Sequence, residues 1–212
     1  MFPIDVVMTY LAACLLVVLA PGPDNILAIG RGLSQGRMAA LLSALGAGVG
    51  ILFHTVTAAL GLSVILQSSA AAFWIVKMVG AMYLLWLGYK ALRSKDLITF
   101  TPAAHLPLHR IFISGALSNI LNPKPGLFVL AFLPQFVDAH RGSVPVQMLV
   151  YGAIFAVMTT VLFTLMGSFA HRLANWLQAR PRVTTGLNLG AGLAFIASGL
   201  TVLSLKLSLI HI

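Results

Sequence analysis

The chain has 212 residues, of which 59% are hydrophobic and 8% are charged, whereas an ordinary soluble domain carries about a quarter charged residues. Its net charge of +9 does not indicate nucleic-acid binding, because the basic residues lie in short clusters between long apolar runs. The composition excludes a soluble enzyme, a nucleic-acid-binding module and a disordered chain, and it is typical of a membrane protein whose loops contact anionic lipid.

Six apolar segments are long enough to cross a bilayer, since a spanning helix needs about 20 residues. They cover 4–30, 38–66, 70–92, 111–137, 144–170 and 183–205. The sequence therefore predicts an all-α polytopic membrane protein with six transmembrane helices. The long polar connection 93–110 divides the chain into two halves of three helices, 1–92 and 111–212.

The loop charges predict the orientation. Nine of the thirteen basic residues fall in the first, third and fifth connections: Arg31, Arg37, Lys90, Arg93, Lys95, Arg110, Arg172, Arg180 and Arg182. Only Arg141 and Lys206 fall on the opposite side. By the positive-inside rule both termini lie outside and 93–110 is cytoplasmic. If the first segment re-enters the membrane instead of spanning it, the N-terminus lies inside.

A Pro-x-Pro motif interrupts the first segment of each half. Pro21-Gly22-Pro23 lies in segment one and Pro123-Lys124-Pro125 in segment four. Each proline removes a backbone donor and clashes with the preceding turn, so the helix must open there. Because each half has three helices, the second half is inverted relative to the first. The sequence thus predicts two inverted repeats whose first helices are broken, a plan that recurs in secondary transporters.

Polar residues surround both breaks. Asp24 and Asn25 follow the first break, and Asn119, Asn122 and Lys124 surround the second. Opened backbone inside a membrane is tolerated only where it is buried in protein or lines a wet cavity. The polar neighbours favour a ligand-lined cavity. The alternative is that each break is a kink packed against neighbouring helices.

Asp24 is the one carboxylate in the interior of an apolar segment, since Asp5 lies at the very start of the first one. It could bind a substrate ammonium group or carry a proton; alternatively, it only caps the helix that restarts after Pro23. Lys124, near mid-membrane, could pair with Asp24 or hold a substrate carboxylate, and snorkelling is its alternative. His54 is either a proton relay or a satisfied polar residue of the interior.

Other notable residues have simpler interpretations. Lys77 is near a segment end, where snorkelling is favoured, and Tyr83 and Trp86 are expected to pack. The run 46–50, GAGVG, predicts a small-residue face for close helix packing. The sequence contains no phosphate-binding glycine loop, no Cys/His cluster with metal-ligand spacing and no nucleophile motif. We therefore expect no cofactor, no metal and no enzymatic activity.

The stretches LVVLAPGPDNILAIGRGLSQGRMAAL, GAGVGILFHTVTAALGL, KMVGAMYLLWLGYKALR and SGALSNILNPKPGLFVLAFLPQF resemble the LysE/RhtB family of bacterial amino-acid exporters. The likeness covers nearly all of the first 137 residues and, more loosely, the rest. It implies efflux of amino acids or close derivatives across the bacterial inner membrane, driven by the proton gradient. The positions that match the family motifs are Pro21, Gly22, Pro23, Asp24, His54, Lys77, Gly80, Tyr83, Asn119, Asn122, Pro123 and Lys124.

The expected function is secondary export of small, neutral amino acids by alternating access. The opened helix ends would meet the zwitterion, with N-termini favouring its carboxylate and C-terminal carbonyls its ammonium group. The expected partners are the amino acid, protons and membrane lipid, with a homodimer left open and no nucleic acid. The alternatives are an inorganic-cation exporter and a non-transporting scaffold or intramembrane enzyme.

The orientation can be tested by thiol labelling after Cys14 is replaced. In intact cells Ser94→Cys and Thr184→Cys should resist an impermeant maleimide, because both positions are expected inside, whereas Ser143→Cys should react. Labelling of all three cysteines from one side would contradict the six-helix topology.

Overall fold

The computed structural model describes residues 2–20, 22–68, 70–93, 101–170, 172, 175–176 and 181–204. Every regular element within these ranges is helical. The main helices are α1 (Ile4–Leu19), α2 (Pro23–Ser68), α3 (Ala70–Arg93), α4 (Leu108–Leu121), α5 (Pro123–Leu127), α6 (Val144–Ser168) and α7 (Pro181–Ser204). A π-helical turn (Phe128–Phe132) and a 3-10 turn (Leu133–Phe136) continue α5, and a second 3-10 turn (Ala139–Arg141) precedes α6.

The predicted all-helical membrane architecture is confirmed. In the described ranges, Pro23–Gly61 and Val144–Ser168 are each long and apolar enough to cross a membrane. A third span results if Leu108–Leu121 and Pro123–Phe136, which meet at 52°, are counted together. The arrangement of six helices as two inverted repeats stays a prediction.

The two predicted helix breaks are present. α1 ends at Leu19 and α2 begins at Pro23, while α4 ends at Leu121 and α5 begins at Pro123. Between them, Ala20 (φ −58°, ψ 127°) and Asn122 (φ −80°, ψ 116°) leave the helical conformation. Both residues precede a proline, whose ring disfavours helical backbone at the residue before it.

The predicted connection between segments one and two is wrong in its extent. Instead of a loop around Arg31 and Arg37, α2 has a single non-helical residue, Gly36, with φ 79° and ψ −167°. Only glycine adopts this conformation without strain. A Cβ added at Gly167 would lie 2.5 Å from Ala40 Cβ and 2.7 Å from Ala28 O. In a straight helix Ala28 and Ala40 would be about 18 Å apart, so α2 folds back on itself at Gly36.

The glycine run of α2 packs on two sides, not on the single predicted face. A Cβ at Gly46 would lie 2.2 Å from Phe112 O of α4, and one at Gly50 would lie 2.6 Å from Asn119 Cβ. A Cβ at Gly48 would meet Thr160 Oγ1 of α6 at 2.5 Å. Because these glycines have no side chains, α2 can contact both α4 and α6 closely.

The described helices form groups that mix the two halves of the sequence. α2 packs mainly on α4 and α6, whereas α3 packs mainly on α7. In the second pair, a Cβ at Gly88 would lie 2.8 Å from Gly192 O. The two sequence halves thus interlock through their helices.

A cluster of aromatic residues joins α1, α6 and the segment that follows α5. The Tyr10 hydroxyl donates to Tyr151 O at 2.9 Å, and the Tyr10 ring lies 5.0 Å from that of Phe136. Phe128 of the π-helical turn packs at 5.1 Å from Phe155 of α6. The cluster therefore holds α1 against α6 and against the segment that follows the second break.

Residues 101–107, the strap, lie along the first arm of α2. Gln35 Nε2 donates to Leu106 O at 2.8 Å, and Gln35 Oε1 accepts from Leu106 N at 2.9 Å. Arg31 donates to Ala104 O, and the backbone N–H of residue 103 donates to Gly30 O at 3.0 Å. The strap belongs to the predicted linker 93–110, and α4 begins at Leu108, three residues before the predicted start of the fourth segment at 111.

Gly46→Ala should destabilise the protein, because its new methyl group meets the α4 backbone and overpacking costs about 1–3 kcal/mol. Unfolding can be followed in detergent with a thiol-reactive dye, because the sole cysteine of the chain, Cys14, is fully buried. Gly61→Ala is the control, since nothing lies within 4 Å of its added Cβ. Equal melting temperatures for the two variants would contradict the close α2–α4 contact.

Candidate functional site

Asp24 lies in the first turn of α2 and is 6% exposed. Its Oδ1 accepts from Ser118 Oγ at 2.7 Å, and its Oδ2 accepts from Asn119 Nδ2 at 2.7 Å and Asn122 Nδ2 at 2.9 Å. All three donors come from the C-terminal end of α4 and the second break. Asp24 is therefore a buried carboxylate held by neutral donors and by the positive end of its own helix.

Lys124 is a residue of the second break, but its ammonium group lies at the first break. Its Nζ donates to Ala20 O at 2.8 Å and to Val17 O at 3.2 Å. These carbonyls close α1, whose C-terminal end carries partial negative charge. Gly22 leaves room for the ammonium group, since a Cβ there would lie 2.9 Å from Nζ.

Asn25 closes the first break from within. Its Oδ1 accepts from Gly22 N at 2.8 Å, and its Nδ2 donates to Ala20 O at 2.9 Å and to Val18 O at 3.3 Å. The side chain is 3% exposed. Asn25 therefore pairs backbone groups on both sides of the interruption and fixes the course of the chain between α1 and α2.

The two breaks are thus joined by a reciprocal exchange. The residue that restarts α2 binds the end of α4, and the residue that restarts α5 binds the end of α1. Asp24 and Lys124 do not pair directly, because among the described residues only Arg141 and Asp138 form an ion pair. Asn122 lies between the two residues, since its Nδ2 donates to the Asp24 carboxylate at 2.9 Å while its Oδ1 accepts from the backbone N–H of Lys124 at 3.0 Å.

His54 completes the end of α4. Its Nε2 donates to Asn119 O at 3.1 Å, and the ring packs on Gly126, where an added Cβ would lie 2.9 Å from Cε1. A cleft of 330 Å³ opens beside this ring between α2 and the second break, and both His54 and Asn122 line it. The polar side chains of His54 and Asn122 therefore lie at the edge of a mainly apolar cleft.

The structure brings Gly22, Pro23, Asp24, Asn25, His54, Asn119, Asn122, Pro123 and Lys124 together at the two breaks. The backbone of Pro21 and the side chain of Lys77 lie outside the described residues. Tyr83 packs on Trp86 with 5.5 Å between ring centroids, as the packing interpretation predicts. Gly80 faces the π-helical turn, where an added Cβ would lie 2.2 Å from Ala131 Cβ.

Sequence reasoning missed Ser118, which donates directly to Asp24. Its spacing carried the signal, because Ser118 and Asn122 are four residues apart and share one face of a helix with Asn119 close by. A serine alone in an apolar segment attracts less attention than an amide or a charge.

Comparison with known proteins gives a consistent result. The LysE type translocator family model matches residues 15–206. A homoserine/homoserine lactone efflux protein of Salmonella typhimurium is 30% identical over 198 residues, covering 93% of this chain and 95% of the relative. A leucine efflux protein of Enterobacter sp. is 28% identical over 206 residues, covering 93% and 94%. An uncharacterized membrane protein of Vibrio cholerae is 30% identical over 204 residues, covering 96% and 98%.

No solved structure matches the chain. The family match covers most of the sequence and includes both breaks and every described residue that binds Asp24 or Lys124. The resemblance found in the sequence is confirmed, and this membrane protein belongs to the LysE type translocator family.

Proposed function

We propose that the protein exports small, neutral amino acids or close derivatives across the bacterial inner membrane by alternating access, coupled to protons. The observation that carries this proposal is the buried Asp24 carboxylate, which accepts hydrogen bonds from three neutral donors and forms no ion pair in the described part of the chain. The relatives named as homoserine and leucine efflux proteins support the substrate class.

Asp24 is suited to a substrate ammonium group or to a proton. Burying a carboxylate without an opposite charge is costly even when its oxygens accept hydrogen bonds. An ammonium group would supply that charge, and protonation would remove the need for it. The same carboxylate can therefore alternate between substrate and proton, which is the requirement for coupling one to the other.

Lys124 is suited to the substrate carboxylate. An ammonium group has three donors, and two of them bind Val17 O and Ala20 O. One donor is left for an anion. Asn122 donates to the Asp24 carboxylate and accepts from the backbone N–H of Lys124, so a zwitterion bound between Asp24 and Lys124 would lie beside this amide.

The two groups of packed helices are candidates for the parts that move during transport. α2, α4 and α6 form one group and α3 and α7 another, with few described contacts between α2 and α3. We infer that these groups rock against each other, with α1 and the π-helical turn after α5, which contact both groups, at their boundary. Both termini remain outside in this proposal, as the loop charges indicate.

A neutral substrate fits better than a dibasic one. A second cationic group would need a second anionic partner, and Asp24 is the one carboxylate in the interior of the apolar segments. This argument applies to the side chain of the substrate and leaves its α-ammonium group to Asp24.

Asp24→Asn should reduce leucine export from proteoliposomes at least about tenfold, roughly 1.4 kcal/mol in rate terms. The variant removes charge and titration while keeping the size of the side chain. If Asp24 carries the proton, the variant should still exchange leucine down its gradient but lose its response to pH; if it binds ammonium, both activities should fail.

Asp138→Asn makes the same chemical change outside the membrane segments. There the backbone N–H of His140 and the Arg141 guanidinium lower the pKa of Asp138, so the wild-type side chain is charged at neutral pH. Leucine export by the Asp138→Asn variant should match that of the wild type. Wild-type export by Asp24→Asn, at equal protein level, would leave Asp24 with only a capping role.

Lys124→Gln should reduce export of substrates that carry a carboxylate more than export of substrates that lack one. Glutamine can still donate to the carbonyls of α1, but it has no charge for an anion. Export of leucine should fall about tenfold or more, whereas export of leucinamide, which has no carboxylate, should fall much less; both are measured with radiolabelled substrate. An equal loss for both substrates would assign Lys124 to the structure of the break alone.

A further inference from the structure

The cleft beside the second break is bounded by α2 on one side and by α4 and α5 on the other. Its walls include Ala58, Leu127 and Leu130, and its polar groups come from His54, Thr57 and Asn122. At 330 Å³ it is near the lower end of the range of small-molecule sites, about 300–1,000 Å³. It is large enough for one small molecule.

Asn122 connects this cleft to Asp24. The same side chain lines the cleft and donates to the Asp24 carboxylate at 2.9 Å. A substrate whose ammonium group replaces part of this network would extend the remainder of its structure past Asn122. Because Asn122 borders both the carboxylate and the cleft, the cleft is a space that this remainder can occupy.

The lining selects by charge and by size. None of the residues that line the cleft is an aspartate, glutamate, lysine or arginine, so a charged group there would be buried unpaired at high cost. One polar group can be accommodated, because His54 Nε2 binds Asn119 O and no described residue bonds to the other ring nitrogen.

From these contacts we propose that the cleft is the side-chain subsite of the transport site, with Leu127 as its size-determining residue. The subsite takes an uncharged aliphatic side chain that carries at most one hydroxyl group. This inference rests on the proposed function, because it assigns to the cleft one part of the exported amino acid. Gly126 contributes by leaving space for the His54 ring at the edge of the cleft.

The test measures export of alanine, leucine and phenylalanine by wild type and two variants with opposite effects on volume. Leu127→Ala enlarges the cleft and should raise the phenylalanine-to-leucine ratio about tenfold. Leu127→Trp fills it and should lower the leucine-to-alanine ratio by a similar factor. A difference of one or two carbon atoms in an apolar pocket is typically worth about 10–200-fold.

Leu165→Ala and Leu165→Trp are the matched controls, since Leu165 is 48% exposed on α6 away from the cleft. All ratios should stay at wild-type values in both. If Leu127→Ala does not insert, Leu130→Ala tests the same wall of the cleft.

Unchanged ratios in the Leu127 variants, with transport still present, would overturn the subsite and assign the cleft to another occupant such as a lipid chain. The proposed function would survive that result. By contrast, absence of export of all three amino acids by wild-type protein would overturn the proposed function itself, so the two failures are distinguishable.

Discussion

The main physical constraint on this molecule is that backbone groups freed inside a membrane must find partners within the protein. The prolines open two helices and leave the carbonyls of Ala20 and Asn119 without their usual helical donors. Lys124 and Asn25 bind the first carbonyl, and His54 and the Asn122 N–H bind the second. The residues to which we assign transport chemistry are thus also the residues that pair the backbone at the breaks. In the proposed mechanism, a substrate that engages them would change the stability of the breaks, which would link binding to conformational change.

Much of the site could be predicted from the sequence, because charges and amides are rare in apolar segments. Asp24, Asn119, Asn122 and Lys124 are conspicuous for that reason, and the two Pro-x-Pro motifs, one in each half, mark where helices must open. The pairing of these residues could not be predicted. Opposite charges suggest an Asp24–Lys124 ion pair, but the Lys124 ammonium group binds a carbonyl at the negative end of α1, and Asp24 accepts from side-chain donors of α4 and the second break. Only three-dimensional packing decides between these partners.

The fold shows the same limit. Apolar segment lengths give the helices, and their boundaries are correct within a few residues except where α2 turns. Two arginines between apolar runs resemble an ordinary loop, whereas Gly36 alone makes the turn and Arg31 stays within the helix. The grouping of α2 with α4 and α6 depends on which glycines face which helix. A run of small residues indicates close packing but does not identify the partner, so interlocking of the two halves is visible only in the structure.

The strap has an evolutionary consequence. Arg31 and Gln35 hold it through the backbone of Ala104 and Leu106, and Gly30 binds a backbone N–H. Backbone groups are the same in nearly every amino acid, so these bonds do not depend on which side chains the strap carries. They do depend on spacing, since inserting or deleting one residue would move the bonded groups out of reach. Related chains should therefore vary freely in strap sequence while conserving its length.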